Sequence, residues 1–255
     1  MSQSLSRRTF FTIAGSAVAT IALNTACRRS WANLPNDGRI ARPRHTGTPS
    51  ATLAVGKAIS LGLDRERDAI LYVPQSANAP VPLLMFLHGA TQSADDMAWY
   101  LEKAPDETGV AILAPNSRDT TWDAINDGFG TDVQFINDAL ERTFKTVAID
   151  PERIILGGFS DGATYAISLG LINGDFCKRV VAFSPGFVVE GTPQGRPQFF
   201  ISHGTRDHIL PIDRCGRRIA RDLQSRGYEV TFREFDGDHE IPNEVLADAL
   251  QWIKN

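Results

Sequence analysis

The chain has 255 residues, of which 42% are hydrophobic and 22% charged, and its formal net charge is −4. This composition is typical of a globular protein with one sizeable domain, and it argues against the basic surface that nucleic-acid-binding proteins present. Beyond residue 32 no apolar run reaches the roughly 18 residues that a membrane span needs. We therefore expect neither a nucleic-acid partner nor a membrane span, while the oligomeric state stays open.

The first 32 residues predict an export signal. Arg7 and Arg8 precede a weakly hydrophobic stretch at residues 12–23, and no acidic residue occurs before Asp37. Paired arginines followed by a moderately apolar region and small residues are typical of twin-arginine signals. We therefore expect residues 1–32 to direct the protein to the periplasm or the cell envelope.

Two alternatives stay open for the processing of this signal. Small residues near Ala32 suit a signal peptidase, whereas Cys27 is a candidate for lipidation, and one lipid chain with a basic flank can hold a protein at a membrane. Residues 33–51 are rich in Pro, Gly and Arg and predict a disordered linker. The remaining residues, 52–255, are expected to form a single catalytic domain.

From residue 52 onwards short β-rich runs alternate with helical patterns, which predicts a mostly parallel sheet with helices on both faces. The predicted strands are 52–63, 69–73, 82–87, 110–113, 153–156, 179–183, 198–202 and 228–235. The predicted helices are 93–108, 132–147, 163–172, 213–226 and 243–253. Ser93 is expected to cap the first of these helices and Gly227 to end the fourth. For Cys177 and Cys215 a disulfide and two separate small apolar residues remain alternatives.

Residues 158–162 read Gly-Phe-Ser-Asp-Gly, and they lie between a predicted strand and a predicted helix. A serine in this context forms a nucleophile elbow, a strained turn that exposes its hydroxyl at the carboxyl end of the sheet. The motif alone recurs by chance in glycine-rich turns, and a plain turn is the alternative. The strand before it and the helix after it favour Ser160 as a nucleophile.

A serine nucleophile needs a base, and in this type of fold the base is a histidine near the end of the chain. Three histidines follow Ser160 in the sequence: His203, His208 and His239. His239 lies between the last predicted strand and the last helix, where catalytic groups collect at the carboxyl end of a sheet. We therefore assign His239 as the base and give the other two structural roles.

The base in turn needs a carboxylate that orients it. Asp207 follows a predicted strand and lies between the nucleophile and the base in the sequence, which is the expected order. Asp213 better suits a helix cap, and Asp236 and Asp238 are typical turn residues. We therefore assign Asp207 as the orienting acid.

Attack on an ester produces an oxyanion that two N–H groups must stabilise. One donor is expected to be the backbone N–H of Asp161, the residue after the nucleophile. The other should come from the loop after an early strand, where residues 87–92 read Leu-His-Gly-Ala-Thr-Gln. The N–H of Ala90 is assigned as this second donor, with that of Thr91 as the alternative.

Together these motifs resemble bacterial α/β-hydrolases of the phospholipase/carboxylesterase group, and they are similar to secreted feruloyl-esterase and polyhydroxyalkanoate-depolymerase-like enzymes. The motifs that carry the resemblance are 87–89, 158–163, 203–207 and 237–239. The resemblance implies an α/β-hydrolase fold, and no metal or cofactor is implied. Asp161 departs from many relatives and places a carboxylate beside the oxyanion hole, which disfavours acidic substrates.

The substrate end of the site is less strongly patterned. No insertion is long enough for a large lid domain, so we expect an open site for small esters. Trp122 and Phe187 follow strand ends and are candidates for the wall that binds an acyl or aryl group, although core packing is the alternative for both. For Trp99, on a helical face, core packing is preferred.

These assignments predict a serine hydrolase that cleaves carboxylic esters of small molecules. One alternative is a serine peptidase on the same fold, but such enzymes often carry an extra propeller or cap domain for which this chain has no room. A second alternative is a binding protein that has lost activity. A full set of nucleophile, base and acid argues against it.

Overall fold

The computed structural model describes residues 37–43, 58–75 and 80–254, and all of them belong to one compact unit, Leu34–Asn255. The predicted export signal of residues 1–32 and the candidate lipidation site Cys27 lie outside the described residues. Among the residues that the structure describes, no helix has the length and apolar character needed to cross a membrane.

Within the described residues one eight-stranded sheet forms the centre of the domain, with the strand order β1-β2-β4-β3-β5-β6-β7-β8. The strands are β1 (Ala58–Ser60), β2 (Ala69–Tyr72), β3 (Val81–Leu87), β4 (Ala111–Pro115), β5 (Ile149–Phe159), β6 (Cys177–Phe183), β7 (Gln198–Gly204) and β8 (Val230–Phe235). The pairs β1–β2 and β2–β4 are antiparallel, and every other neighbouring pair is parallel. This arrangement confirms the predicted mostly parallel sheet.

Helices cover both faces of this sheet, as predicted. Along β3, Leu83 and Met85 pack in one apolar core, whereas Leu84 and Phe86 pack in the other, because successive side chains of a strand point to opposite faces. The first core also holds α3 (Thr131–Thr146), α4 (Asp161–Ile172) and α5 (Gly216–Ser225). The second core holds α1 (Ala98–Leu101), α2 (Ala104–Thr108) and α6 (Asn243–Lys254).

The predicted helix of residues 93–108 is interrupted. The structure has a 3₁₀ turn at Asp95–Met97, followed by the two short helices α1 and α2. Pro105 lies in the first turn of α2, where its missing N–H costs nothing, but it cannot continue a preceding helix. Ser93 does bond at the start of this segment, since its hydroxyl donates to Asp96 Oδ2 at 2.8 Å.

Residues 37–43 fall inside the predicted linker but pack on the domain, so the prediction of disorder was wrong for this segment. Ile40 is buried, and its N–H donates to Asn173 Oδ1 at 2.8 Å. The guanidinium of Arg39 donates to both carboxylate oxygens of Asp175, at 2.8 and 3.0 Å. An apolar side chain and a bidentate ion pair therefore hold a segment whose composition alone is typical of a linker.

The two domain cysteines are buried and unpaired. Cys177 begins β6, and Cys215 precedes the first residue of α5. Burial raises the pKa of both thiols. Of the two alternatives from the sequence, the structure has two separate small apolar side chains.

Candidate active site

Ser160 lies in the turn that joins β5 to α4, at the carboxyl end of the parallel strands. Its backbone has φ 56° and ψ −118°, a strained conformation for a residue with a side chain. The turn is tight because glycines flank it: a Cβ on Gly158 would lie 2.4 Å from the carbonyl carbon of Gly162, and one on Gly162 would lie 2.1 Å from Leu87 O. The serine thus sits in the predicted strand–turn–helix context.

His239 lies in the loop between β8 and α6, and its ring faces the serine. The Nε2 atom is 2.9 Å from Ser160 Oγ. One face of the imidazole packs on Phe159, with ring centroids 4.8 Å apart. Asp238 fixes this turn, because its Oδ1 accepts the backbone N–H of His239 at 2.9 Å and that of His208 at 3.1 Å.

The Asp207 side chain is fully buried, and one of its oxygens meets the base. Oδ2 lies 2.7 Å from His239 Nδ1. Oδ1 accepts the backbone N–H groups of Ile209 at 3.0 Å and Leu210 at 2.7 Å. The structure therefore brings Ser160, His239 and Asp207 into one hydrogen-bonded series.

The rival carboxylates from the sequence are all engaged elsewhere. Asp213 pairs with Arg217 at 2.9 Å, and Asp236 pairs with Arg206 at 2.9 Å. Asp238 accepts backbone N–H groups, as expected of a turn residue. Asp207 is thus the acid that the geometry presents to His239.

The loop after β3 lies against the nucleophile. A Cβ on Gly89 would be 3.4 Å from Ser160 Cβ, so a glycine here lets the backbone approach closely. Gly89 O lies 2.8 Å from His88 Nδ1 and accepts the N–H of Gln92 at 3.3 Å. In a trans peptide the N–H points opposite to the carbonyl, so these two bonds turn the Ala90 N–H away from them.

Of the two donors considered in this loop, Thr91 is already occupied, since its N–H bonds Thr120 O at 2.6 Å. No acceptor among the described residues bonds the N–H of Ala90. Asp161 begins α4, where the first backbone N–H groups have no partner within the helix. Ala90 and Asp161 therefore remain the pair of candidate oxyanion donors.

The buried side chain of His88 supports the loop that follows β3. It is fully buried, and its Nε2 accepts the N–H of Ser117 at 3.0 Å, which assigns the ring proton to Nδ1 and makes Nδ1–H the donor to Gly89 O. Burial lowers the pKa of His88 to about 4. The imidazole is thus neutral at neutral pH and has a partner on each nitrogen.

The prediction that Trp122 contacts substrate was wrong. Its side chain has no exposed surface, and its indole N–H donates to His88 O at 2.9 Å. The ring lies between His88 and Tyr165, with centroid distances of 4.9 and 5.1 Å. Trp122 therefore belongs to the core beneath the loop of residues 88–92, because its one polar atom already has a buried acceptor.

The carboxylate of Asp161 is half-buried beside the nucleophile. Its Oδ2 accepts the hydroxyl of Thr121 at 2.6 Å. This bond keeps the carboxylate on the side of the 118–125 loop. An anionic group that approached Ser160 would therefore meet the negative charge of Asp161.

Two large apolar side chains are exposed at the same end of the sheet. Phe187, in the loop of residues 184–197 after β6, is 37% exposed, and Ile209, in the loop after β7, is 68% exposed. Among the described residues no other large apolar side chain reaches this exposure. The two loops touch, since a Cβ on Gly186 would lie 3.4 Å from Leu210 Cδ2.

Phe187 was a sequence candidate for substrate contact, and the structure leaves its ring accessible. Ile209 was missed. Its position two residues after the orienting acid was the available signal, because residues that flank a catalytic group in a loop line the site in many enzymes. The 184–197 loop contains no helix, in agreement with a fold that lacks a lid domain.

The described residues contain no group of three or more His, Cys, Asp or Glu side chains that could hold a metal ion. The histidines near the site are instead bonded to protein acceptors and donors.

Residues 110–255, more than half of the chain, match the Phospholipase/Carboxylesterase family. The chain belongs to this family. The matched residues include Ser160, Asp207 and His239, and the membership confirms the resemblance inferred from the motifs.

Individual relatives of this Phospholipase/Carboxylesterase member are more distant. A bifunctional acetylxylan esterase/xylanase of Neocallimastix patriciarum is 31% identical over 155 residues, 56% of this chain and 22% of that protein. Acyl-protein thioesterase 1 of Emericella nidulans is 32% identical over 97 residues, 34% of this chain and 40% of that protein. The chain thus spans less than half the length of these two relatives.

Solved structures confirm the α/β-hydrolase fold of this family member. S-formylglutathione hydrolase of Staphylococcus aureus superposes with a TM-score of 0.65 at 18% identity, covering 78% of this chain and 96% of that one. The Bacillus cereus carboxylesterase superposes with a TM-score of 0.59 at 19% identity, covering 74% and 93%. At such identities the similarity establishes the fold.

Proposed function

We propose that this protein is a serine hydrolase that cleaves carboxylic esters through an acyl-enzyme on Ser160, with His239 as base and Asp207 as orienting acid. The observation that carries the proposal is the unbroken series from Ser160 Oγ to His239 Nε2, 2.9 Å, and from His239 Nδ1 to Asp207 Oδ2, 2.7 Å. Family membership and relatives described as esterases and thioesterases support the same chemistry.

In the acylation step, His239 Nε2 takes the proton of Ser160 while Oγ attacks the carbonyl carbon of the ester. The electron pair of the C=O bond moves onto oxygen, and the N–H groups of Ala90 and Asp161 stabilise the resulting oxyanion. When the tetrahedral intermediate collapses, the bond to the alcohol breaks and His239 returns the proton to the leaving oxygen. The acyl group remains on Ser160.

Deacylation repeats these roles with water as the nucleophile. His239 removes a proton from the water, whose oxygen attacks the acyl carbon, and the proton passes to Ser160 Oγ as the ester bond breaks. Asp207 holds the imidazole and stabilises its protonated form in both steps. The products are a carboxylic acid, an alcohol and the free enzyme.

The surroundings of the site favour small, uncharged esters with an apolar group. Phe187 and Ile209 offer exposed apolar surface on neighbouring loops at the catalytic end of the sheet. The carboxylate of Asp161 lies beside the nucleophile and repels anionic groups. These features support Phe187, and with it Ile209, as residues that contact the acyl or aryl part of the substrate.

We also propose that the protein is exported, on the pattern of residues 1–32, and that it acts in the periplasm or cell envelope. A fusion of these residues to a reporter should be exported, and substitution of Arg7 and Arg8 by lysine should retain the reporter in the cytoplasm. Substitution of Cys27 by serine distinguishes the two processing alternatives, because only a lipid-anchored protein would be released from the membrane fraction. Export of the double-lysine fusion at the original level would contradict the twin-arginine assignment.

The first experiment is the hydrolysis of p-nitrophenyl acetate, butyrate and octanoate by the purified protein, with Ser160→Ala as the matched control. We expect turnover that falls by about a thousandfold or more in the variant, the scale of a lost nucleophile. Cleavage of peptide p-nitroanilides in preference to these esters would favour a peptidase. A folded protein with no turnover and no reaction with a fluorophosphonate would refute the hydrolase and leave a binding protein.

A further inference from the structure

His203 is buried directly beneath the orienting acid. It is the penultimate residue of β7 and has no exposed surface. Its Nε2 lies 2.7 Å from Leu210 O and 3.2 Å from Asp207 Oδ2. Both partners are acceptors, so Nε2 carries the ring proton and points it at this pair of oxygens.

The other ring nitrogen has no partner. Nδ1 of His203 is buried without a hydrogen bond among the described residues. The backbone of α5 closes over it, since a Cβ on Gly216 would lie 2.6 Å from this atom. A buried nitrogen left unpaired costs its full desolvation, which an apolar side chain of similar size would avoid. Packing alone therefore does not explain a histidine at this position.

The buried environment of His203 keeps its ring neutral and its donor in place. Burial lowers the pKa of His203, against the opposing effect of Asp207. His239 faces it from the loop after β8. Glu234, its register neighbour on β8, is paired with Arg217 of α5 at 2.5 Å, so that carboxylate is already neutralised.

We propose that His203 is a positioning residue for the catalytic acid: its Nε2–H holds the Leu210 carbonyl and faces Oδ2 of Asp207, and it thereby fixes the carboxylate that orients His239. The inference rests on the proposed function. Leu210 links the two groups, because its N–H bonds Asp207 Oδ1 at 2.7 Å while its carbonyl accepts from His203. One buried imidazole therefore acts on both carboxylate oxygens of Asp207: directly on Oδ2, and through Leu210 on Oδ1.

Removing the Nε2–H donor of His203 should change both kcat and the pH profile of the reaction, each in a predictable direction. The turn of residues 207–210 loses its buried anchor, so the acid and the base align less well and kcat falls. The carboxylate also loses a neighbouring N–H dipole, so it attracts the protonated form of His239 more strongly. The acidic limb of the kcat/KM profile therefore moves to higher pH.

The test compares His203→Leu, which removes the donor, with His203→Gln, whose side-chain amide can place an N–H near the Nε2 position. Ser202→Ala is the matched control, because Ser202 is a buried neighbour on β7 whose hydroxyl also has no partner. For His203→Leu we expect kcat about tenfold lower and an acidic limb roughly half a unit to one unit higher, the effect of one lost hydrogen bond. His203→Gln should restore most of both quantities.

A second measurement does not depend on turnover. The proton resonance of His239 Nδ1–H reports the strength of its bond to Asp207, and we expect it to shift in His203→Leu and to return towards the wild-type position in His203→Gln. If the leucine variant does not fold, His203→Met provides a more flexible side chain without a donor.

The outcomes separate this inference from the proposed function. If wild-type protein has no turnover that depends on Ser160, the proposed function fails, and the resonance of His239 still decides whether His203 controls the acid. If the wild type is active and a folded His203→Leu keeps both the pH profile and the resonance, His203 has no positioning role. An equal pH shift in Ser202→Ala would likewise overturn the inference.

Discussion

Substituting Ser160 by glycine is expected to stabilise the fold relative to the alanine variant, although both variants lose turnover. The residue has φ 56° and ψ −118°, and holding a side chain in such a conformation costs about 1–3 kcal/mol. Glycine avoids this cost but loses about 0.5–1 kcal/mol more chain entropy on folding. The glycine variant should therefore be more stable than the alanine variant by about 1 kcal/mol.

The comparison isolates the backbone because both substitutions remove Oγ and its bond to His239. Thermal unfolding should place the midpoint of Ser160→Gly about 2–4 °C above that of Ser160→Ala for a domain of this size. Urea unfolding provides the free-energy difference directly, and ester turnover should be lost equally in both. An alanine variant as stable as the glycine variant would mean that the turn is not strained, and the argument from its dihedral angles would be refuted.

Four further substitutions probe the surroundings of the site. Between pH 6.5 and 4 the unfolded chain binds a proton at His88 that the folded state excludes, so the contribution of this group to stability should fall by about 3 kcal/mol over this range. Asp132, whose pKa burial raises to about 6, acts in the opposite direction, but it does so equally in wild type and His88→Gln. Urea unfolding at both pH values should therefore show His88→Gln gaining about 3 kcal/mol relative to the wild type on acidification. Trp122→Phe, which leaves His88 O without its indole donor, should lower the free energy of unfolding by about 1–2 kcal/mol and reduce kcat. Unchanged values would contradict a supporting role beneath the loop of residues 88–92. Phe187→Ala and Ile209→Ala should raise KM more for p-nitrophenyl octanoate than for acetate, and an equal change for both esters would exclude acyl contact.

The sequence predicts the sheet well because its buried strands are short, continuous apolar runs, as in β3 and β4. It predicts helix boundaries less well where the conformational restriction of a single residue, such as proline, interrupts a helical spacing of apolar residues. The pattern of residues 93–108 is helical throughout, yet Pro105 forces a new start. Residues 37–43 illustrate the opposite case: their composition is typical of a linker, but Ile40 and Arg39 have partners more than 130 positions away that local composition does not reveal.

The residues of the site are predictable where chain order restricts them. Ser160, Asp207 and His239 follow from a motif and from their succession along the chain, and the structure brings their side chains together. Trp122 could not be placed, because the polar residues around it suggest a surface loop while its burial depends on one carbonyl acceptor, His88 O. Ile209 carries no motif, and its exposure is visible only in three dimensions.

The two buried histidines near the site differ in a way that separates stability from function. His88 has a partner on each nitrogen, so its burial is accounted for by the loop that it holds. His203 has a partner on one nitrogen only, and the fold bears the desolvation of the other. A strained serine turn next to an incompletely bonded histidine is the pattern expected where geometry is maintained at the expense of stability. An apolar residue at position 203 removes the desolvation cost of Nδ1 but leaves the buried Leu210 carbonyl without its donor, so the two effects on stability oppose each other. The change that identifies a positioning role is therefore the one in the pH profile of the reaction.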